Sequence, residues 1–158
     1  MTNKEINFGI IDMECATYIH DKMLEKYGGL PGVRDENALG SAVQRPQMQA
    51  YYNPDCDVFQ AAAAAGYGLI RSHPFNDANK RTGCVVTLGM LRSNGYDVSK
   101  DVSHERLIGL FLDVAAGKIE EEDFASFLRQ NSKPIQARQY LEETAIMKKK
   151  LLQDLAGR

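Results

Sequence analysis

The stretch His73-Pro74-Phe75-Asn76-Asp77-Ala78-Asn79-Lys80-Arg81-Thr82-Gly83 (HPFNDANKRTG) sets a histidine, an acid, two amides, a lysine and an arginine between two apolar runs. The run before it, 58–71, contains five consecutive alanines, Ala61 to Ala65. Alanine has the highest helix propensity and little bulk, so this run predicts a central helix that neighbours approach closely. Gly66 and Gly68 weaken such a helix unless another backbone packs against them. The run after it, 82–94, is apolar on nearly every side, which predicts a buried helix. The polar residues therefore fall in a short loop between two core helices, where a rigid scaffold positions them.

Outward from this loop the chain reads as helix after helix. Asp12 is placed to cap a helix through Tyr27, and Gly28-Gly29-Leu30-Pro31-Gly32 must end it. Asp35 caps a short helix over 36–44 that Arg45-Pro46 is expected to stop. Tyr51 and Tyr52 then fall in a loop. Brief extended segments are expected near 33–35 or 96–98. Ser103 caps a helix over 104–116, with Gly117 beyond its end. Residues 120–129 begin acidic and end basic, which complements a helix dipole. Pro134 opens a last amphipathic helix carrying Lys148-Lys149-Lys150. The reading is an all-α bundle, with a region 1–131 holding the loop and a helical extension 132–158.

The 158 residues, 44% hydrophobic and 25% charged, fit one globular domain. A net charge of −2 argues against a generally basic nucleic-acid binder. Three cysteines, an odd number with no CxxC spacing, fit a reducing cytoplasm, and Cys15 and Cys84 read as small core residues. No run approaches the length of a membrane span, and the first thirty residues lack the pattern of a secretory signal.

The loop residues suggest a chemistry of their own. A helix starting near Ala78 or Asn79 presents unpaired N–H groups and the positive end of its dipole, a ready phosphate site. Lys80 and Arg81 place two cations in that first turn, where a structural helix start would carry acids. A carboxylate beside phosphates, Asp77, suits Mg²⁺. Histidine is the side chain that exchanges protons near neutrality, so His73 is the candidate base. Together they point to phosphoryl or nucleotidyl transfer from a Mg²⁺–nucleotide to a hydroxyl. The glycine pattern of a P-loop is missing. Arg71 is read either as a further phosphate contact or as a cap on helix carbonyls. His20 and His104 are read as surface or packing residues.

At these residues the chain resembles the Fic/Doc family, and within it the Doc (death-on-curing) toxin branch. The family pattern His-x-Phe-x-Asp/Glu-Gly/Ala-Asn-Gly/Lys-Arg is met by His73, Phe75, Asp77, Ala78, Asn79, Lys80 and Arg81. Tyr27 to Gly32 resembles the Doc branch as well, and the similarity spans residues 10 to about 128. The resemblance implies a small helical domain around the loop. It implies His73 as the base, Asp77 as the Mg²⁺ ligand and Phe75 as the buried anchor. Ala78, Asn79, Lys80 and Arg81 would form the anion hole and phosphate clamp.

The resemblance also bears on which group is transferred. Most Fic enzymes have glycine at the Lys80 position and transfer AMP. The lysine of Doc is associated with a reversed nucleotide and γ-phosphoryl transfer. Cys84 stands where Fic enzymes usually have a second arginine. The implied activity is a protein kinase that uses ATP and Mg²⁺, acts on elongation factor Tu and is neutralised by a separate antitoxin. Nucleotidyl transfer (AMPylation or another NMP) is the alternative. A catalytically idle binding protein is a third. Neither a membrane nor direct nucleic-acid contact is expected. The extension 132–158 goes beyond the Doc pattern, as a packed helix, a dimerisation element or a lid.

Overall fold

The structure, a computed structural model, describes residues 6–157. The outermost residues of the two expected regions, 1–5 and 158, lie outside that range. The helices are α1 (Met13–Tyr27), α2 (Glu36–Tyr52), α3 (Val58–Ser72), α4 (Asn79–Ser93), α5 (His104–Ala116), α6 (Glu121–Asn131), α7 (Ala137–Met147) and α8 (Lys149–Ala156). Two three-residue strands, β1 (Tyr96–Val98) and β2 (Ser132–Pro134), complete the described elements. The all-α reading holds.

Caps start most of the core helices where the sequence places them. Asp12 Oδ1 accepts from the Cys15 N–H at 2.7 Å and Asp35 Oδ1 from Ala38 at 3.0 Å. Asp57 and Gln60 form a reciprocal capping box. Ser103 Oγ accepts from Arg106, and Gly117, left-handed, closes α5.

α3 is the central helix. Residues Val58, Ala61 to Gly66 and Gly68 to Ile70 are all buried against α2, α4 and α6. Its small residues set the interhelical distance. A Cβ on Gly66 would lie 2.0 Å from Thr87 Oγ1, and one on Gly83 2.5 Å from Ile70 Cγ1. A Cβ on Gly68 would lie 3.2 Å from the Ala42 Cα. The two glycines of α3 are therefore packing positions, and α3 and α4 leave their loop from a closely packed base.

Four expectations need correction. α2 does not stop at Pro46; it continues to Tyr52, so Tyr51 and Tyr52 are helical and exposed. A proline inside a helix costs about 3 kcal/mol. Leu39, Ala42, Val43, Pro46 and Ala50 form one buried stripe along α2. Burying each larger apolar side chain returns roughly 1.5–3 kcal/mol, so packing outweighs the break. Second, α4 buries one face (Asn79, Thr82, Gly83, Val86, Thr87, Met90, Leu91) and leaves Val85 exposed. Third, the fully buried cysteine is Cys56, while Cys15 and Cys84 are half-buried. Fourth, Pro134 belongs to β2, not to a helix start. β2 pairs antiparallel with β1 in the register Tyr96↔Pro134, Asp97↔Lys133 and Val98↔Ser132. An edge strand tolerates the missing N–H of proline.

The extension then forms two helices separated at Lys148. Arg92 ion-pairs with both Asp97 and Glu143, and the Tyr140 hydroxyl donates to the Arg92 carbonyl at 2.9 Å. These contacts tie α7 to the end of α4, although no residue of α7 or α8 is buried. Among the described residues no helix is long and apolar enough to cross a membrane.

Candidate active site

The loop between α3 and α4 turns on two left-handed corners. His73 (φ 49°, ψ 56°) ends α3, and Ala78 (φ 62°, ψ 24°) precedes α4. Left-handed backbone costs a non-glycine residue roughly 1–2 kcal/mol, so the surroundings must impose it. Phe75, 1% exposed, anchors the loop between these corners. The buried Asn79 side chain accepts from the Phe75 N–H at 3.0 Å and donates to the Phe75 carbonyl at 3.1 Å. Both ends of that amide are thus committed to loop closure. The Asn79 backbone N–H is the donor this residue would have left for an anion.

The segment after α1 lies alongside the loop like a second strand. Arg34 and Asp35 N–H groups donate to the Pro74 carbonyl at 2.8 and 3.0 Å, and Asn76 N–H donates to Gly32 at 3.1 Å. Val33 and Phe75 form an isolated bridge, the small β element expected near 33–35. The Arg34 guanidinium donates to the carbonyls of His73 (2.8 Å) and Ser72 (3.0 Å). Close approach requires glycine here: a Cβ on Gly29 (φ +131°) would lie 2.7 Å from Asp77 Oδ2.

The Asp77 carboxylate accepts from the Ala78 N–H at 2.8 Å through Oδ1 and from the Leu30 N–H at 3.1 Å through Oδ2. These two bonds, Ala78 first, hold its carboxyl below the ordinary aspartate value; partial desolvation opposes them, and the charge of Arg81 assists. Each oxygen keeps a second lone-pair direction. No group of three or more His, Cys, Asp or Glu placed to hold a metal ion exists among the described residues. A Mg²⁺ here would rest on Asp77 together with phosphate and water oxygens, the arrangement Mg²⁺ favours with nucleotides. The ionised carboxylate fits that role.

α4 begins without a side-chain cap, because Ala78 has no acceptor to offer. The first bond within α4 runs from the Thr82 N–H to the Ala78 carbonyl. The N–H groups of residues 79–81 precede it and have no partner in the helix. The two cations of this turn differ. Lys80 is exposed and makes no ion pair among the described residues. Arg81 Nη1 donates to the carbonyls of Gly28 (3.0 Å) and Met23 (3.3 Å) at the end of α1, with the guanidinium over the Tyr27 ring. His73 is exposed at the other end of the loop, its backbone fixed by Arg34.

Of the lesser candidates, Arg71 donates to the Ala115 carbonyl at 2.9 Å, so it serves the end of α5. His104 is exposed at the start of α5. His20 is buried, stacked on Phe75 with ring centroids 3.9 Å apart, and its Nε2 lies 2.9 Å from the Asp77 carbonyl. Its i,i+4 spacing from buried Ala16 was a signal for the packing reading. Arg34 carried no sequence signal, because its partners lie 38 and 39 residues away.

A family model described as Fic/DOC family matches residues 10–91, which hold α1 to α3, the loop and most of α4. The chain belongs to the Fic/Doc family. Two relatives place this Fic/Doc chain on the Doc branch. "Protein kinase doc" of Escherichia phage P1 is 35% identical over 120 residues, covering 76% of this chain and 93% of the relative. "Toxin Doc" of Mycolicibacterium smegmatis is 32% identical over 103 residues, covering 65% and 79%.

Proposed function

We propose that this Fic/Doc chain is a Doc-type toxin kinase that transfers the γ-phosphate of ATP to a protein hydroxyl. Its target would be elongation factor Tu, with inhibition of translation as the result and a cognate antitoxin as the restraint. The target and the antitoxin rest on the resemblance to Doc toxins. Such an antitoxin would supply a disordered segment that folds on binding. One observation carries the choice of kinase: Lys80, exposed and unpaired among the described residues, stands at the uncapped N-terminus of α4 next to Asp77. A long cationic side chain there fills space that glycine would leave to a phosphate group and supplies charge for another.

The residues divide the work as follows. The His73 imidazole takes the proton of the target hydroxyl. The hydroxyl oxygen bonds to the γ-phosphorus as the bond to the β–γ bridging oxygen breaks, and ADP leaves. Asp77 would hold Mg²⁺, and the ion would supply positive charge against the phosphates. The N–H groups of 79–81, with Lys80, meet the transferred phosphoryl group. Arg81 adds positive charge from a position fixed by its bonds to Gly28 and Met23.

The experiment is a pair of labelling reactions with elongation factor Tu in a bacterial lysate, one with γ-labelled and one with α-labelled ATP. Wild type, His73→Ala and Lys80→Gly are compared. Label from γ alone, lost in His73→Ala and weakened in Lys80→Gly, supports the kinase. Label from α makes the enzyme a nucleotidyltransferase despite Lys80. Label from neither, with a biological effect that survives His73→Ala, leaves the idle binding protein. Full γ-transfer by Lys80→Gly would sink the orientation argument.

A further inference from the structure

His20 is 1% exposed in the middle of α1, whereas His73 and His104 are exposed. An imidazole in a core is disfavoured by roughly 1–3 kcal/mol unless its polar atoms find partners. The flat stack on Phe75, with an interplanar angle of 7°, is a contact phenylalanine would make as well. What histidine alone adds is the bond at Nε2. The Asp77 carbonyl only accepts, so Nε2 carries the proton and donates at 2.9 Å. The other nitrogen, Nδ1, lies 3.5 Å from the exposed Asp21 carboxylate, too far for a good hydrogen bond.

The acceptor matters as much as the donor. The Asp77 carbonyl precedes the left-handed corner at Ala78 and stands outside the α4 ladder, which begins at the Ala78 carbonyl. Without His20 this carbonyl has no protein donor among the described residues. The peptide it belongs to also carries the Ala78 N–H that Asp77 Oδ1 accepts. Rotation of that one peptide would therefore release the carboxylate and tilt the first turn of α4 together.

We infer that His20 is a positioning residue that sets the orientation of the Asp77 carboxylate by holding the 77–78 peptide. The consequence for Mg²⁺–nucleotide binding rests on the kinase reading; the consequence for loop geometry does not.

Two variants separate the bond from the ring. His20→Phe keeps the stack and removes the donor. His20→Gln places an amide N–H where Nε2 stood and removes the ring. The first readout is hydrogen exchange at the Ala78 and Leu30 amides, the two donors to Asp77, in the protein without nucleotide. The second is calorimetric titration with Mg²⁺ and a non-hydrolysable ATP analogue.

The inference expects His20→Phe to melt close to wild type, to exchange both amides faster and to bind the analogue about tenfold more weakly, the low end of what losing the partner of a metal-holding side chain costs. His20→Gln melts lower yet keeps protection and affinity near wild type. Wild-type protection in His20→Phe overturns the inference. So does loss of protection in a folded His20→Gln, which would leave His20 as packing alone. If His20→Phe does not fold, His20→Gln decides by the same protection readout. Wild type that fails to bind the analogue counts against the kinase reading, while the exchange data still decide the role of His20.

Discussion

Arg34 holds His73 in place through its backbone: Nε donates to the His73 carbonyl at 2.8 Å and Nη2 to that of Ser72 at 3.0 Å. The same guanidinium complements the negative end of the α3 dipole. His73 needs this support because its left-handed conformation is not its own preference. Arg34→Ala should lower stability by only about 1 kcal/mol, since Arg34 is solvent-exposed, and, with His73 as the proposed base, lower catalysis by tenfold or more, because misplacing a base by about 1 Å can cost a hundredfold. Melting curves beside turnover measurements check this. Equal losses in both, or turnover unchanged, would refute the support role.

Gly29 should not tolerate a side chain. Alanine there would hold a left-handed backbone and push its Cβ to 2.7 Å from Asp77 Oδ2 and 2.8 Å from Leu24 Cδ2. The expected outcome for Gly29→Ala is a destabilisation of roughly 1–3 kcal/mol, with loss of activity through the displaced Asp77. Denaturant unfolding and an activity assay measure the two effects.

Gly66→Ala tests the α3–α4 contact. Helix propensity alone predicts a gain near 1 kcal/mol, but the new methyl meets Thr87 Oγ1 at 2.0 Å. Overpacking of this kind costs about 1–3 kcal/mol. The single variant should therefore be destabilised, and Gly66→Ala with Thr87→Ala should be more stable than the sum of the two single effects. A double-mutant cycle by denaturant unfolding gives the coupling, and additivity would contradict the contact.

Asp77 should make stability pH-dependent only in acid. Its folded carboxyl lies below the ordinary value of about 3.9. The unfolded chain then binds the proton first, so the stabilisation is complete above about pH 4 and is lost as pH falls through the folded value. Melting temperatures of wild type and Asp77→Asn should differ by a constant amount from pH 5 to 8 and converge below pH 4. A difference that changes above pH 5 would exclude the assignment.

Cys56 should be the slowest thiol to react. Burial, with the charge of Asp57 adding, pushes it up to about 11. Cys15 and Cys84 are half-buried. Timed labelling of the native protein with a thiol reagent, read by peptide mass, should find Cys56 modified last.

Much of this molecule was legible along the chain because the deciding interactions are short-range. Asp12, Asp35 and Ser103 each bond an N–H three residues on. The loop from His73 to Arg81 lies within nine consecutive positions, so its chemistry and its family resemblance were readable together. Pro46 misled because local geometry forbids what the buried stripe of α2 enforces. The strand at 132–134 was missed because its partner, β1, lies far back in the sequence.

The sequence by itself determined the helical class, most helix starts, and which residue types stand at the loop between α3 and α4. Only the tertiary structure decided how those residues are held. His20 reaches Asp77 across 57 positions, Leu30 reaches it across 47, and Arg34 reaches His73 across 39. A cap bonds its own neighbours and forms wherever the local backbone allows. A clamp on a distant carbonyl exists only after packing of α1 against α4 has brought the two segments together, and no local pattern encodes that encounter.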